Sequence, residues 1–158
     1  MDELKNFNIH SLMRILSKTD DEFEQWLKEK NLLRTTNVCE CGKNMVLTKQ
    51  KLWQCNNRKQ HDNKRPTKGF YEGTFFSGSH LTSKQIFEFT YYWCRNTHSQ
   101  DEFEHDMKIS RNTIVDWKQF CRDIAVLYFQ NHPEKIGKKG IQKKTRKNLK
   151  LRRSQFSG

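Results

Sequence analysis

The sequence predicts an α+β fold, and three observations predict it. Three of the five cysteines and one of the six histidines fall between Cys39 and His61, in CECGKNMVLTKQKLWQCNNRKQH. Within that stretch lie two short apolar runs suited to strands, and apolar residues recur at helical spacing both before and after it. The expected architecture is a small zinc-ribbon β-hairpin flanked by an N-terminal helical pair and a C-terminal three-helix unit of the helix-turn-helix kind. Its expected parts are 1–36, 37–81 and 82–136, followed by a basic tail at 137–158.

The helical pair occupies residues 7–33. Ile9, Leu12, Ile15 and Leu16 recur on one helical face. Thr19-Asp20-Asp21-Glu22 then offers a capping box ahead of Phe23, Trp26 and Leu27. Acids at the start of this second helix, with Lys28 and Lys30 at its end, agree with the helix dipole.

Met45–Lys49 and Lys51–Cys55 read as strands, because Val46, Leu47, Leu52 and Trp53 suit a pleated, half-buried surface. Two such strands are not stable alone in water. A tetrahedral Zn2+ site clamping their ends supplies what is missing, since structural zinc contributes roughly 10–16 kcal/mol of apparent binding energy to small metal-dependent folds. Cys39, Cys41 and Cys55 are three candidate ligands, and their polar neighbours Glu40, Lys43, Asn44, Gln54 and Asn56 do not suit buried structural thiols. His61 is the nearest ligand type for the fourth position; Cys94 and His80 are its rivals. The first arm, Cys39-Glu40-Cys41-Gly42, is one residue shorter than the usual Cys-x-x-Cys-Gly.

The segment NNRKQHDNKRPTKG that follows is too polar for a core and is punctuated by Pro66 and Gly69, so it reads as a solvated loop. Lys68–Tyr71 reads as a third strand. Gly73–Leu81 reads as a turn that lays Phe75 and Phe76 onto the ribbon, with Gly73 and Gly78 supplying positive φ or close backbone approach. Thr82–Asn96 reads as a largely buried helix in which Cys94 is a core thiol.

Ser99-Gln100-Asp101-Glu102 is a second capping box, opening a short helix with Phe103 and Met107 on one face. Lys108 and Ile109 make a tight turn; such a turn often has Gly where Lys108 stands, and a positive φ there would cost Lys108 roughly 1 kcal/mol. Ser110 then caps a longer helix whose inward stripe is Ile114, Trp117, Cys121, Ile124 and Tyr128. This is a helix-turn-helix layout, in which the N-terminal end of the last helix enters the major groove. Arg111 suits guanine or phosphate, Asn112 adenine, and the Ser110 and Thr113 hydroxyls phosphate oxygens; Lys118 and Arg122 continue the same solvent-facing side.

Net charge is +12, which points to a polyanionic partner. Residues 137–158 hold nine Lys or Arg and no acid, which leaves +3 for residues 1–136. Lys143, Lys144, Arg146 and Lys147 are the centre of this cationic tail, suited to salt-sensitive binding of nucleic acid and to nuclear import. Five cysteines cannot all pair, and MDELKNFNIH is not an apolar signal segment, so a reducing compartment is expected. No apolar run approaches the ~20 residues of a membrane span, and no membrane partner or small-molecule substrate is expected.

The motifs CGKNMVL at 41–47, LWQC at 52–55, GTFFSGSHL at 73–81, FTYYWC at 89–94 and KISRNTIVDWKQFCRDI at 108–124 resemble the N-terminal half of Merlin-type transposases. The similarity runs from about Leu12 to Gly137. It implies a zinc-ribbon and DNA end-recognition region placed ahead of an Asp-Asp-Glu nuclease domain. No side-chain carboxylate follows Glu134, so the ligands for two-metal strand transfer are absent from this chain and a non-enzymatic, zinc-stabilised, double-stranded-DNA-binding protein of the nucleus is expected. The alternatives are an accessory subunit of a full-length transposase, or a protein-interaction module.

Overall fold

The computed structural model describes residues 6–133. They form five α-helices and a small three-stranded sheet, a mixed α+β arrangement. The order is α1 (Ile9–Leu16), α2 (Asp20–Glu29), β1 (Val46–Leu47), β2 (Leu52–Gln54), β3 (Thr67–Gly69), α3 (Ser83–Arg95), α4 (Gln100–Met107) and α5 (Arg111–Asn131). The chain divides into two compact units, one ending at Lys84 and the other starting at Gln85. None of the described helices is long and apolar enough to cross a membrane.

In the first unit Asn8 caps α1, its side chain accepting from the Ser11 amide, and Leu12 and Ile15 are buried. Thr19 and Glu22 close the capping box of α2 in both directions, and Phe23 and Leu27 face the core. The helix stops at Asn31, which takes φ 57°, while the Leu32 and Leu33 amides return to the Leu27 carbonyl. Asparagine tolerates this left-handed conformation better than most residues, which is why α2 ends there.

The sheet is antiparallel with order β1-β2-β3. Leu47 pairs with Trp53, and Trp53 with Lys68. Both strands of the hairpin are shorter than the sequence suggests, because Thr48 to Lys51 form the turn, with Lys51 at φ 56°. The third strand covers Thr67–Gly69 rather than Lys68–Tyr71: the Phe70 amide still donates in register to the Lys51 carbonyl, but the Glu72 amide returns to the Gly69 carbonyl and turns the chain there. Of the four expected half-buried residues, Trp53 alone is buried, against Phe70; Val46, Leu47 and Leu52 are exposed. Glu24 of α2 ties helix to sheet: its Oε1 accepts from Lys51 Nζ at 2.6 Å and from the Tyr71 hydroxyl at 2.7 Å. Gly73 and Gly78 take φ of 72° and 68°. Phe76 between them is buried beside Tyr71, and Phe75 packs edge-on against it.

The second unit is built around Phe89 of α3, Phe103 of α4 and Trp117 of α5. Phe89 stacks on Phe103 at 4.4 Å, with Trp117 at 6.2 Å from the Phe89 ring. Ser99 and Glu102 form a complete capping box on α4, and Lys108 ends that helix at φ 52°. Ser110 caps α5 by accepting from the Thr113 amide.

Two expectations fail in this unit. Of α3, Ile86 and Phe89 are buried, whereas Cys94 is exposed. Five residues beyond Phe89 is about 140° further round an α-helix, off the inward face, so Cys94 is not a core thiol. On α5 the buried stripe ends at Cys121, and Tyr128 is 57% exposed. Tyr128 keeps the stripe's angular position, but at about 1.5 Å per residue α5 extends well past the eight-residue α4 that covers its first half.

Candidate metal centre

Cys39 and Cys41 lie on a tight return of the chain. The Cys39 amide donates to the Lys43 carbonyl and the Gly42 amide to the Cys39 carbonyl, both at 2.9 Å, and Val38 bridges Asn44 across the turn. Gly42 takes φ 77°, which the turn requires. Cys55 stands at the end of β2. From there the chain makes a ten-residue excursion, closed at its base by the Cys55 amide donating to the Pro66 carbonyl at 3.0 Å. A single 3₁₀ turn, Arg58–Gln60, delivers His61 back toward the cysteines.

The four ligand atoms of Cys39, Cys41, Cys55 and His61 all lie within 4.8 Å of one another. The Cys39 sulfur is 3.4 Å from His61 Nε2, and the Cys41 and Cys55 sulfurs are 3.7 Å apart. A disulfide requires about 2.05 Å between sulfurs, so the second distance is not a covalent bond. A tetrahedral ion with bonds of about 2.3 Å to sulfur and 2.0–2.1 Å to nitrogen separates its ligands by roughly 3.5–3.8 Å. The Cys41–Cys55 edge falls in that range, the Cys39–His61 edge lies just below it, and no other edge exceeds 4.8 Å. This Cys3His cluster is therefore able to hold a metal ion, with Cys39 and Cys55 buried and Cys41 and His61 partly accessible. Of the rivals for the fourth position, His80 and Cys94 are both exposed and neither joins the group.

The surroundings favour thiolate at one sulfur. The Lys43 backbone amide, two residues beyond Cys41, hydrogen-bonds its sulfur and outweighs burial; with contributions from His61, Cys55 and Cys39, it brings the Cys41 thiol down to about 6. At Cys55 the Asn57 amide pulls downward, but burial and the adjacent Cys39 and Cys41 sulfurs push its thiol above the ordinary range. Two negative sulfurs cannot share this space without a compensating charge, which a cation supplies. Both amides lie two residues after their cysteine, and Asn57 Nδ2 also reaches the Cys41 sulfur at 3.9 Å and Gln60 Oε1 at 2.8 Å. Such outer contacts orient ligands. Lys43 and Asn57 escaped the sequence reading, although that common two-residue offset was visible in it.

The residues expected at nucleic acid are distributed differently. Ser110 and Thr113 are engaged with one another, their hydroxyl oxygens 2.8 Å apart in the cap of α5. The Arg111 guanidinium pairs with Asp101 and lies 3.9 Å from a Glu104 carboxylate oxygen, both on α4. Asn112 is exposed. Lys118 places its ammonium 5.0 Å above the Phe103 ring. With Arg122, Trp93, Asn96 and His98 it lines a small cleft of about 200 Å³. Lys143, Lys144, Arg146 and Lys147 lie outside the described residues.

Fold and site together define a small α+β protein with a Cys3His cluster able to take a metal ion. No known protein family, curated protein or solved structure matches the chain.

Proposed function

We propose that this is a zinc-stabilised DNA-binding protein without nuclease chemistry of its own. The observation that carries it is the convergence of three sulfurs and one imidazole on a tetrahedron-sized space, from a turn, a strand end and a loop. Zinc is the ion that sulfur-rich, four-coordinate structural sites most often hold, and when bound it cross-links those three segments. Cys39, Cys41, Cys55 and His61 are its ligands. The sheet unit is then a zinc ribbon.

The DNA reading is supported by α4, the Lys108 turn and the capped start of α5, which fit a helix-turn-helix with α5 as its reading helix. Asn112 is the exposed residue best suited to a base edge, and Lys118 and Arg122 continue along α5 toward the backbone. Arg111 reaches DNA by exchanging Asp101 and Glu104 for phosphate or guanine. With the resemblance to Merlin-type transposases, this reading gives a recognition module for transposon ends, acting in the nucleus, whose partner is double-stranded DNA; a full-length transposase is the partner in the alternative reading as an accessory subunit.

Metal analysis of the purified chain tests the first half. One zinc per chain is expected, with loss in Cys55→Ser and in His61→Ala; a chain that folds identically with and without a chelator refutes it. Selection from random duplexes tests the second half. Enrichment of a site by the wild type and its weakening in Asn112→Ala are expected, and equal affinity for every duplex removes the base-reading claim.

A second reading, a protein-contact module, is favoured by Val126, Leu127, Tyr128 and Phe129 on α5, each at least 40% exposed. Its expected sign is concentration-dependent association that Phe129→Ser weakens, without binding to any duplex.

A further inference from the structure

The basic charge of the described residues is not on the helices expected to read DNA. Residues 85–133 contain five Lys or Arg against seven Asp or Glu, a net of −2; residues 6–84 contain fourteen against eight, a net of +6. Among the described residues, polyanion attraction therefore belongs to the unit with the Cys3His cluster.

Within that unit the cations differ in what they are doing. Lys51 is paired with Glu24 and Lys84 with Asp20, and Lys28 lies 5.4 Å above the Phe70 ring. Arg58, Lys59, Lys64 and Arg65 are exposed, and none of their side chains makes an ion pair or hydrogen bond among the described residues. All four belong to the excursion between Cys55 and Pro66, and they flank the candidate ligand His61 at −3, −2, +3 and +4.

This excursion has a defined backbone. Its base is closed by the Cys55 amide and Pro66 carbonyl, and its middle is held where His61 meets Cys39. The Asn63 amide donates to the Arg58 carbonyl at 3.0 Å and the Lys64 amide to the His61 carbonyl at 2.8 Å. These bonds bring the pairs Arg58-Lys59 and Lys64-Arg65 onto neighbouring backbone. Asp62 and Asn63 turn the chain between them at φ 49° and 63°. Asp62 is the one acid in the excursion, so four cations face one carboxylate. Fixing four free cations on a closed loop lowers the ordering cost of holding them against phosphates.

We propose that the loop Asn56–Arg65 is the main phosphate-backbone contact of the described residues, a sequence-independent clamp on duplex DNA separate from the base-reading end of α5. It rests on the reading of the protein as a DNA binder, and assigns the backbone term of that binding to the metal-bearing unit. Each neutralised phosphate steepens the dependence of log affinity on log salt by about 0.9.

The test uses the full chain and a short mixed-sequence duplex, with affinity followed by fluorescence anisotropy across a salt series. In Arg58→Gln/Lys59→Gln/Lys64→Gln/Arg65→Gln the slope should flatten by about 2–4, and affinity at low salt should fall roughly ten- to a hundredfold. Lys64→Gln/Arg65→Gln should give about half that flattening and serves if the quadruple variant does not fold, as judged by circular dichroism. A tail variant, Lys143→Gln/Lys144→Gln/Arg146→Gln/Lys147→Gln, measures the tail's share separately. An unchanged slope in a folded loop variant overturns the proposal, as does tighter binding to anionic phosphatidylserine vesicles than to duplex. Flattening in the loop variant alongside equal affinity for all duplexes keeps the clamp and discards base reading by α5. A wild type that binds no duplex at low salt ends both.

Discussion

Lys108 and Lys51 are two lysines in the same left-handed conformation, at φ 52° and 56°, with opposite reasons to be there. A Cβ at such φ costs about 1 kcal/mol relative to glycine. Lys108 is exposed and ends α4, so Lys108→Gly should raise unfolding free energy by about 1 kcal/mol in urea titration. Lys51 also holds Glu24, so Lys51→Gly exchanges strain for a lost charge-assisted hydrogen bond and should give no gain. Glu24 is the buried member of that group. Glu24→Ala leaves the Tyr71 hydroxyl, whose proton burial holds up to about 12, without its acceptor, and should cost about 1–3 kcal/mol by the same titration. The turn at Lys108 was legible from the sequence, because a turn between two capped helices is a local signal, while its positive φ is supplied by the structure. The Glu24 contacts were not. Their partners are 27 and 47 residues away, and only the folded chain shows which acid of DDEFE turns inward.

At the scale of elements, the helix starts were the most legible feature. Thr19 with Glu22 and Ser99 with Glu102 are reciprocal pairs three residues apart, and each forms both of its bonds. Their pH dependence has a definite sign. The Thr19 backbone amide, then its hydroxyl, lowers Glu22 from the ordinary 4.5, and Ser99 does the same for Glu102. Because both folded values are depressed, the boxes stabilise the helices fully above 4.5, and that contribution is lost as pH falls through the lowered folded values. Helical circular dichroism should therefore weaken in that acidic window, and a Glu22→Gln/Glu102→Gln variant should show less of the change. Ser99→Ala should cost about 1 kcal/mol at neutral pH. Strand limits were less legible. The apolar runs around Val46 and Leu52 extend no further than two or three paired residues, because the turn and the Cys55 excursion claim the backbone on either side.

For the molecule as a whole, the sequence shows net charge and ligand types but not their division between units. The +12 total conceals a slightly acidic helical stretch at 85–133 and a basic sheet unit at 6–84, and the tail made the two hard to separate by inspection. The same division yields a prediction about metal removal. Every candidate ligand lies in the first unit, whose sheet has only two or three paired residues per strand and whose loops return to the cluster at both ends. Phe89, Phe103, Ile114 and Trp117, the core of the second unit, include no ligand. If zinc binding folds the first unit as proposed, a strong chelator should abolish amide-exchange protection across 37–70, while amides in the middle of α4 and the first half of α5 keep theirs. Uniform loss of protection in both units would mean that the metal organises the whole chain. Uniform retention would mean that the cluster contributes nothing to the fold, and the zinc reading would go with it.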